Sequence, residues 1–482
     1  MDLLPLVALA SLPACLFFLL WYRKAIRSSR FPPSACAWQL VWNMSMSPLA
    51  SLANLAQIYG PIFSLRVGAL LIIVASSPET VMEILKTRDR IFSGRYIPSF
   101  YYKIIPHIEQ SSVLGSRACN DDWKYIRRMC HDWLFSVKAI KQRNEVRERK
   151  MIEMEKNVLR HIVFATLANS MSSMMVSRDL IDIERECKGR NQRLMGFIEA
   201  IMLDVLGTPS VVDLFPTLDG LLGFWERRKA TKLHQEFKSL WGKVIEERRE
   251  EKCVREVPSQ DLLDALIYNG FCNDNICALL MEMLVAGTFT SCITIEWLMA
   301  ELIKNQGVLH KLQDEIENTI DGDINNASYG HMPYLQACLK ETLRLHPPTL
   351  FGVPRRALET CTVKNYVIPK DSVILINNWA LARDPVTWDE PLKFKPKRFL
   401  ESKLELKGNL QFEFIPFGAG RRICPGLNSA TAHIGRIVSL LVHCFDWVLL
   451  EGINQNDLNM TEKLVLTVYM KEPLSLIPRS RT

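Results

Sequence analysis

The sequence predicts a mainly α-helical protein with minor β-sheet, preceded by one N-terminal transmembrane helix. Three observations carry that expectation. Leu3 to Tyr22 is uncharged and apolar almost throughout, long helical patterns dominate the rest, and short strand-like runs are confined to the start and end of that remainder. The chain has 482 residues, 48% hydrophobic and 23% charged, which is ample for a large buried core. Length alone would suggest several domains. No linker rich in Pro, Gly or Ser and no internal repeat follows the N-terminal segment, so residues 41–482 are expected to form one large domain.

About twenty apolar residues suffice to cross a bilayer as a helix, and Pro5 and Pro13 are tolerated in that setting. Arg23, Lys24, Arg27 and Arg30 follow at once, whereas Asp2 is the only charge before the run. Positive flanks stay in the cytosol, so residues 1–22 are expected to be a single-pass anchor with the remainder facing the cytosol. A cleaved signal peptide would want a basic leader and a small-residue cleavage site, and neither is clear. Residues 23–40 form a basic hinge containing Pro32-Pro33. The 13 cysteines show no Cys-x-x-Cys pair, which argues for reduced thiols and against zinc. The net charge of +7 is dispersed in patches such as Lys138–Arg143, which suit an acidic partner, an anionic membrane or plain solvent. No motif supports nucleic-acid binding.

Along the chain, Ile62 to Val67 and Leu70 to Ala75 read as two strands around Gly68. Helical patterns run from Trp123 to about Ala168, breaks fall near Pro209 and Pro216, and Phe237 to Glu251 is amphipathic. The longest helical pattern spans about Asn273 to Lys304. Its first half, Ile276 to Val285, is apolar nearly all round apart from Glu282, as in a helix crossing a protein centre. Strands return at Leu464 to Tyr469 and Leu474 to Ile477.

The most informative stretch is Phe417-Gly418-Ala419-Gly420-Arg421-Arg422-Ile423-Cys424-Pro425-Gly426. Glycines let a loop lie flat against a planar ligand. A nearby cation and backbone N–H groups favour thiolate over thiol, and an axial thiolate pushes electron density onto haem iron. A structural cysteine in a glycine-rich turn is the plain alternative. Glu341 and Arg344 share a helix face, and the leucines and prolines around them imply burial. A buried pair needs further partners, for which Arg398 is the candidate. Trp123 and Arg127 also share a face, four residues apart.

The pattern Phe-x-x-Gly-x-Arg-x-Cys-x-Gly at Phe417–Gly426 resembles the haem-thiolate loop of the cytochromes P-450, and four further motifs of that family follow in order between Trp123 and Gly426. The resemblance implies the cytochrome P-450 fold, with haem b between the central helix and the cysteine loop. It implies Cys424 as the axial ligand to iron, with Phe417, Gly420, Arg422 and Gly426 completing the cofactor loop. It places Trp123 and Arg127 at a haem propionate, with Arg422 and Arg355 as further cations, and makes Glu341, Arg344 and Arg398 a structural triad. Ala286 to Ser291 would pass over the iron, Gly287 leaving room for oxygen and Thr290 assisting its activation and the proton relay. Family members carry Asp or Glu immediately before this Thr, and this chain has Phe289. Three readings stay open: water supplies protons, turnover is slow or uncoupled, or the reaction has a different proton demand. Glu282 and Glu296 are near in sequence but not at that position.

By the same resemblance, substrate should meet the loop from Tyr96 to Val113, Val285 and Phe289, Thr349 to Val353, and Leu464 to Leu466. Most of these residues are apolar, which implies a small apolar organic substrate; His107 and Glu109 could meet a polar or cationic group. Ile91–Pro98, Thr208–Asp213, Thr294–Trp297 and Arg356–Cys361 are most similar to plant microsomal members of alkaloid metabolism: N-methylcoclaurine hydroxylases, berbamunine synthase-type phenol-coupling enzymes and littorine mutase. The expectation is a monooxygenase of the endoplasmic reticulum membrane. Its electrons would come from NADPH-cytochrome P-450 reductase, because no dinucleotide-binding glycine fingerprint follows a strand. The alternatives are phenol coupling or rearrangement without oxygen insertion, and a haem-binding protein that has lost catalysis.

Overall fold

The structure is a computed structural model that describes residues 31–35, 48–99, 102, 108–142, 159–181, 194–198, 201, 210–254, 260–319, 329–407, 412–450, 454–464 and 467–481. The expected anchor and most of the hinge lie outside the described residues. Six strands form the largest sheet: Ser34–Ala35 (β1), Ile62–Val67 (β2), Leu70–Ala75 (β3), Gly94–Arg95 (β4), Arg355–Arg356 (β5) and Val373–Ile376 (β6), in the order β1-β2-β3-β6-β5-β4. The hairpin read around Gly68 is present with the expected bounds, pairing Ile62 with Ala75 and Val67 with Leu70. β4 and β5 are antiparallel, and their register sets Arg95 directly opposite Arg355. Like charges so placed repel, and the functional site explains why both are there.

Five helices frame the site: Asp121–Cys130 (α1), Leu159–Val176 (α2), Asn273–Lys304 (α3), Pro333–Leu345 (α4) and Leu427–Cys444 (α5). α1 starts where the Asn120 side chain accepts a hydrogen bond from the Trp123 N–H at 2.9 Å. The helical run expected from Trp123 to Ala168 is broken in the structure. A π turn over His131–Phe135 follows α1, and Ser136 is extended before helix resumes at Val137. α3 has the bounds its pattern predicts. It is long and apolar enough to span a membrane, yet most of its surface is buried in protein, packed chiefly on α2. α4 ends at Leu345, before His346 and the Pro347-Pro348 pair that cannot continue a helix. The tail forms two antiparallel pairs, the hairpin of Glu462–Leu464 with Val468–Met470 and, enclosing it in sequence, Phe445–Leu449 with Leu476–Ser480.

One large apolar cluster surrounds α2, α3, α4 and α5, and smaller clusters lie against the sheet. Ion pairs pin this core where helices meet. Arg344 grips Glu341 through Nε and Nη2 at 2.8 and 2.9 Å, Arg398 Nε reaches the same carboxylate at 3.1 Å, and the Lys395 N–H donates to it at 2.8 Å. The expected triad is therefore assembled, with the carboxylate fully saturated by donors. Glu296 of α3 is likewise buried against Arg160 of α2, with its Oε1 accepting from both the guanidinium and the Leu474 N–H and its Oε2 from the guanidinium.

Candidate active site

α3 and the loop before α5 enclose a cavity of about 290 Å³. Cys424 lies on one wall. Its N–H donates to the Phe417 carbonyl at 3.0 Å, which closes the loop, and Gly426 and Pro425 continue the wall into the first turn of α5. Burial pushes the Cys424 thiol up, while the Gly426 amide and the Arg127 charge act in the opposite sense. A metal cation at the sulfur would reverse that balance, because a coordinating thiol is deprotonated. On the facing wall α3 presents Val285, Ala286, Gly287 and Thr290. The Thr290 hydroxyl donates to the Ala286 carbonyl at 2.7 Å, leaving its oxygen free to accept a hydrogen bond on the cavity side.

Four guanidiniums converge on the same cavity: Arg95, Arg127, Arg355 and Arg422. Arg127 donates to the Ile423 carbonyl at 2.5 Å and so ties α1 to the cysteine loop. Arg422 spends its donors on the Ser93, Val113 and Ser116 carbonyls, and Arg355 reaches the Ala419 carbonyl at 2.8 Å. Burial pushes all four below the usual arginine range, and Arg355 falls to about 10. Arg95 is depressed further by Arg355, Arg422 and Arg127. Its Nε is buried with no hydrogen-bond partner among the described residues. Among the described residues the one carboxylate in ion-pair reach of the cluster, Asp89, sits 3.8 Å from Arg355 and is shared with Arg421. Such a cluster is costly unless an anion answers it.

The Cytochrome P450 family model matches residues 30–474. The chain belongs to the cytochrome P450 family. Among its relatives, a probable (S)-N-methylcoclaurine 3'-hydroxylase isozyme 2 of Coptis japonica is 41% identical, covering 97% of this chain and 96% of its own. Corytuberine synthase of Coptis japonica is 37% identical over 98% and 99% of the two chains, and berbamunine synthase of Berberis stolonifera is 36% identical over 98% of each. A zebra fish cytochrome P450 solved with progesterone superposes with a TM-score of 0.71 at 22% identity, covering 90% of this chain and 99% of that one, which establishes the mainly helical P450 fold. This P450 is thus a monooxygenase whose cofactor is haem iron bound by a cysteine thiolate.

The cavity of this P450 fits haem on its own chemistry. A sulfur opens on one wall, Gly418, Pro425 and Gly426 flank it with apolar side chains beyond, and four cations including the unpartnered Arg95 Nε suit two propionates. The structure corrects three sequence expectations here. Gly420 does not face the cavity; with φ at +72°, an added Cβ would lie 2.3 Å from the Leu85 carbonyl oxygen. Gly418 borders the cavity instead, and nothing lies within 4 Å of where its Cβ would project. Trp123 does not border the cavity either. Its indole N–H donates to the Val113 carbonyl at 2.8 Å, and its ring supports Arg422 and Arg127 at 4.6 and 5.2 Å. The indole orients the cations and makes no contact with the ligand space itself. At Gly287 the missing Cβ admits Met171 of α2, whose Cε and Sδ lie 2.9 Å from that point.

The third correction concerns Phe289. Its side chain is buried in the α3 core and stands edge-on to Tyr469 with 6.4 Å between centroids, away from the cavity wall. An acid at this position would enter an apolar seam. Phe289→Asp is therefore expected to cost at least about 3 kcal/mol, from lost packing plus a buried charge. Coupling of NADPH to product should not rise; unfolding curves and the product-to-NADPH ratio check both statements. Of the expected substrate contacts, Ile97, Val113, Val285, Thr349, Phe351 and Val353 do line the cavity. Glu109 forms an exposed ion pair with Arg117 at 3.3 Å, while His107 and the side chains of Leu464–Leu466 lie outside the described residues. Arg95 and Glu282 line the cavity although neither was expected there. The available signal for each was a single charge inside an otherwise apolar run.

Proposed function

We propose that this P450 oxidises an apolar alkaloid of the benzylisoquinoline kind, with Cys424 as the residue whose thiolate would hold the iron of haem b and Arg95, Arg127, Arg355 and Arg422 as those that would hold its propionates. The observation that carries this reading is the joint placement of the Cys424 sulfur, four guanidiniums, three of them buried, and Thr290 around one largely apolar chamber. The haem supplies oxygen activation when bound. The chain itself shapes the chamber with Val285, Phe351 and Ile97, and holds the Thr290 hydroxyl where it can accept and pass a proton. Residues 1–22 anchor the enzyme in the endoplasmic reticulum membrane, residues 23–40 join that anchor to a catalytic domain over 41–482 facing the cytosol, and NADPH-cytochrome P-450 reductase delivers electrons. The identity to an N-methylcoclaurine hydroxylase over nearly the whole chain supports the substrate class.

Incubation with N-methylated benzyltetrahydroisoquinolines, reductase and NADPH under labelled oxygen tests this. Label in a hydroxylated product is expected. Loss of hydrogen without label would instead favour phenol coupling. That alternative loses its sequence motive once the Phe289 ring is seen to point away from the chamber.

A further inference from the structure

Glu282 lies on the cavity side of α3, two turns before Thr290, and is the sole acidic side chain lining the cavity among the described residues. Its neighbours along the cavity side of the helix, Ala278, Met281 and Val285, are apolar. One carboxylate oxygen accepts from the Val113 and Leu114 N–H groups at 3.0 and 2.7 Å, and the other accepts from the Ser112 hydroxyl. No Lys, Arg or His among the described residues forms an ion pair with it. Glu296 on the same helix shows the contrast, since its buried carboxylate holds Arg160 at 2.7 Å. The carboxylate of Glu282 is thus desolvated and hydrogen-bonded only to neutral groups, and burial pushes its pKa up to about 7 against those donors and Arg422. A carboxylate offers about four acceptor positions and three are used, so one remains for a ligand.

We propose that Glu282 binds a protonated amine of the substrate, so that this chamber selects basic ligands over neutral ones of the same shape. The arginines cannot serve this purpose, since they carry the wrong sign. Glu282 and Thr290 are eight residues apart, which at 1.5 Å per residue separates them by ~12 Å along the helix. A ligand with its ammonium at Glu282 therefore presents a part of its skeleton several bonds away to the reacting end. This inference rests on the reading of the cavity as an alkaloid chamber. Glu282 also clamps the Ser112–Gly115 segment to α3, and the test must separate that duty from charge recognition.

Glu282→Gln does so. The glutamine carbonyl can keep the Val113 and Leu114 bonds and its amide can donate to Ser112, while the charge is gone. The haem-loaded full chain is titrated, following the Soret band, with an N-methylated benzyltetrahydroisoquinoline and with its neutral N-formyl counterpart. Wild type is expected to bind the amine at least about tenfold more tightly than the neutral ligand, and E282Q should bring that ratio to about one while changing the neutral affinity less than about threefold. Equal weakening of both ligands would reduce Glu282 to a clamp, and a wild type without amine preference would overturn the proposal outright. Glu282→Asp, which keeps the charge, should retain the preference, so a poorly folding glutamine variant does not end the test. An amine preference that E282Q abolishes, in an enzyme that oxidises no alkaloid, would sustain this assignment and sink the alkaloid reading. Alkaloid turnover by a wild type that binds both ligands alike would do the reverse.

Discussion

Cys424→Ser is expected to reduce NADPH-driven oxidation to background while leaving the chain folded. The loop around this residue is held by backbone and guanidinium contacts that do not involve the sulfur: the Cys424 N–H to the Phe417 carbonyl, the Ile423 carbonyl to Arg127, and the Ala419 carbonyl to Arg355. Serine is smaller than cysteine and of the same shape, so nothing in the wall obstructs it. Serine therefore fits. What it lacks is a soft, easily ionised donor, so the electron push that favours O–O cleavage is lost. Thermal unfolding followed by circular dichroism, run beside turnover, checks the two halves of this prediction. A serine variant that oxidises substrate at the wild-type rate would remove Cys424 from the site.

The second large effect is structural. Glu341→Ala should destabilise the protein by about 3–5 kcal/mol, because it strands the Arg344 guanidinium in the core and leaves Arg398 without its carboxylate. Arg344 is fully buried at 0% exposure and its other donors already serve the Ala382, Pro391 and Lys393 carbonyls, so it has no route to water. Those carbonyls lie in the 382–393 segment, so the loss should spread through the region behind the cysteine loop. Urea unfolding and the half-life of haem retention report it. Arg398→Lys should cost less than Glu341→Ala, since lysine preserves the charge and gives up only the donors that Arg398 extends to the Asp389 and Glu390 carbonyls. A Glu341→Ala protein as stable as wild type would show that the triad is incidental to the fold.

Much of this arrangement was legible in the sequence wherever a single local rule fixed the outcome. The β2–β3 hairpin follows from two apolar runs around a glycine that must take positive φ, and α3 follows from an unbroken apolar pattern between clear ends. The Cys424 loop stood out by its glycines and by its resemblance to a haem-thiolate loop, and the Glu341–Arg344 pair because spacing alone puts both on one helix face. The direction of side chains was not. Phe289, Trp123 and Gly420 occupy the expected elements, yet each faces a neighbour and not the cavity. Which face wins depends on contacts with Tyr469, Val113 and Leu85, all distant in sequence.

Arg95 and Glu282 illustrate the same limit from the other side. Arg95 gained its place through a two-residue strand whose register sets it against Arg355, and no local pattern encodes that pairing. Glu282 was visible as one charge in an apolar helix, but its partners come from a loop some 170 residues earlier. A lone charge in a buried run is a demand for a partner. Only the tertiary structure shows whether the protein supplies that partner or leaves the position for a ligand.

The most direct measurement is the absorption spectrum of the haem-loaded protein after reduction with dithionite and addition of carbon monoxide. The account predicts the long-wavelength Soret band that marks thiolate ligation, present in wild type and absent in Cys424→Ser. A folded, haem-replete wild type showing only the shorter-wavelength band of a neutral axial ligand would contradict it.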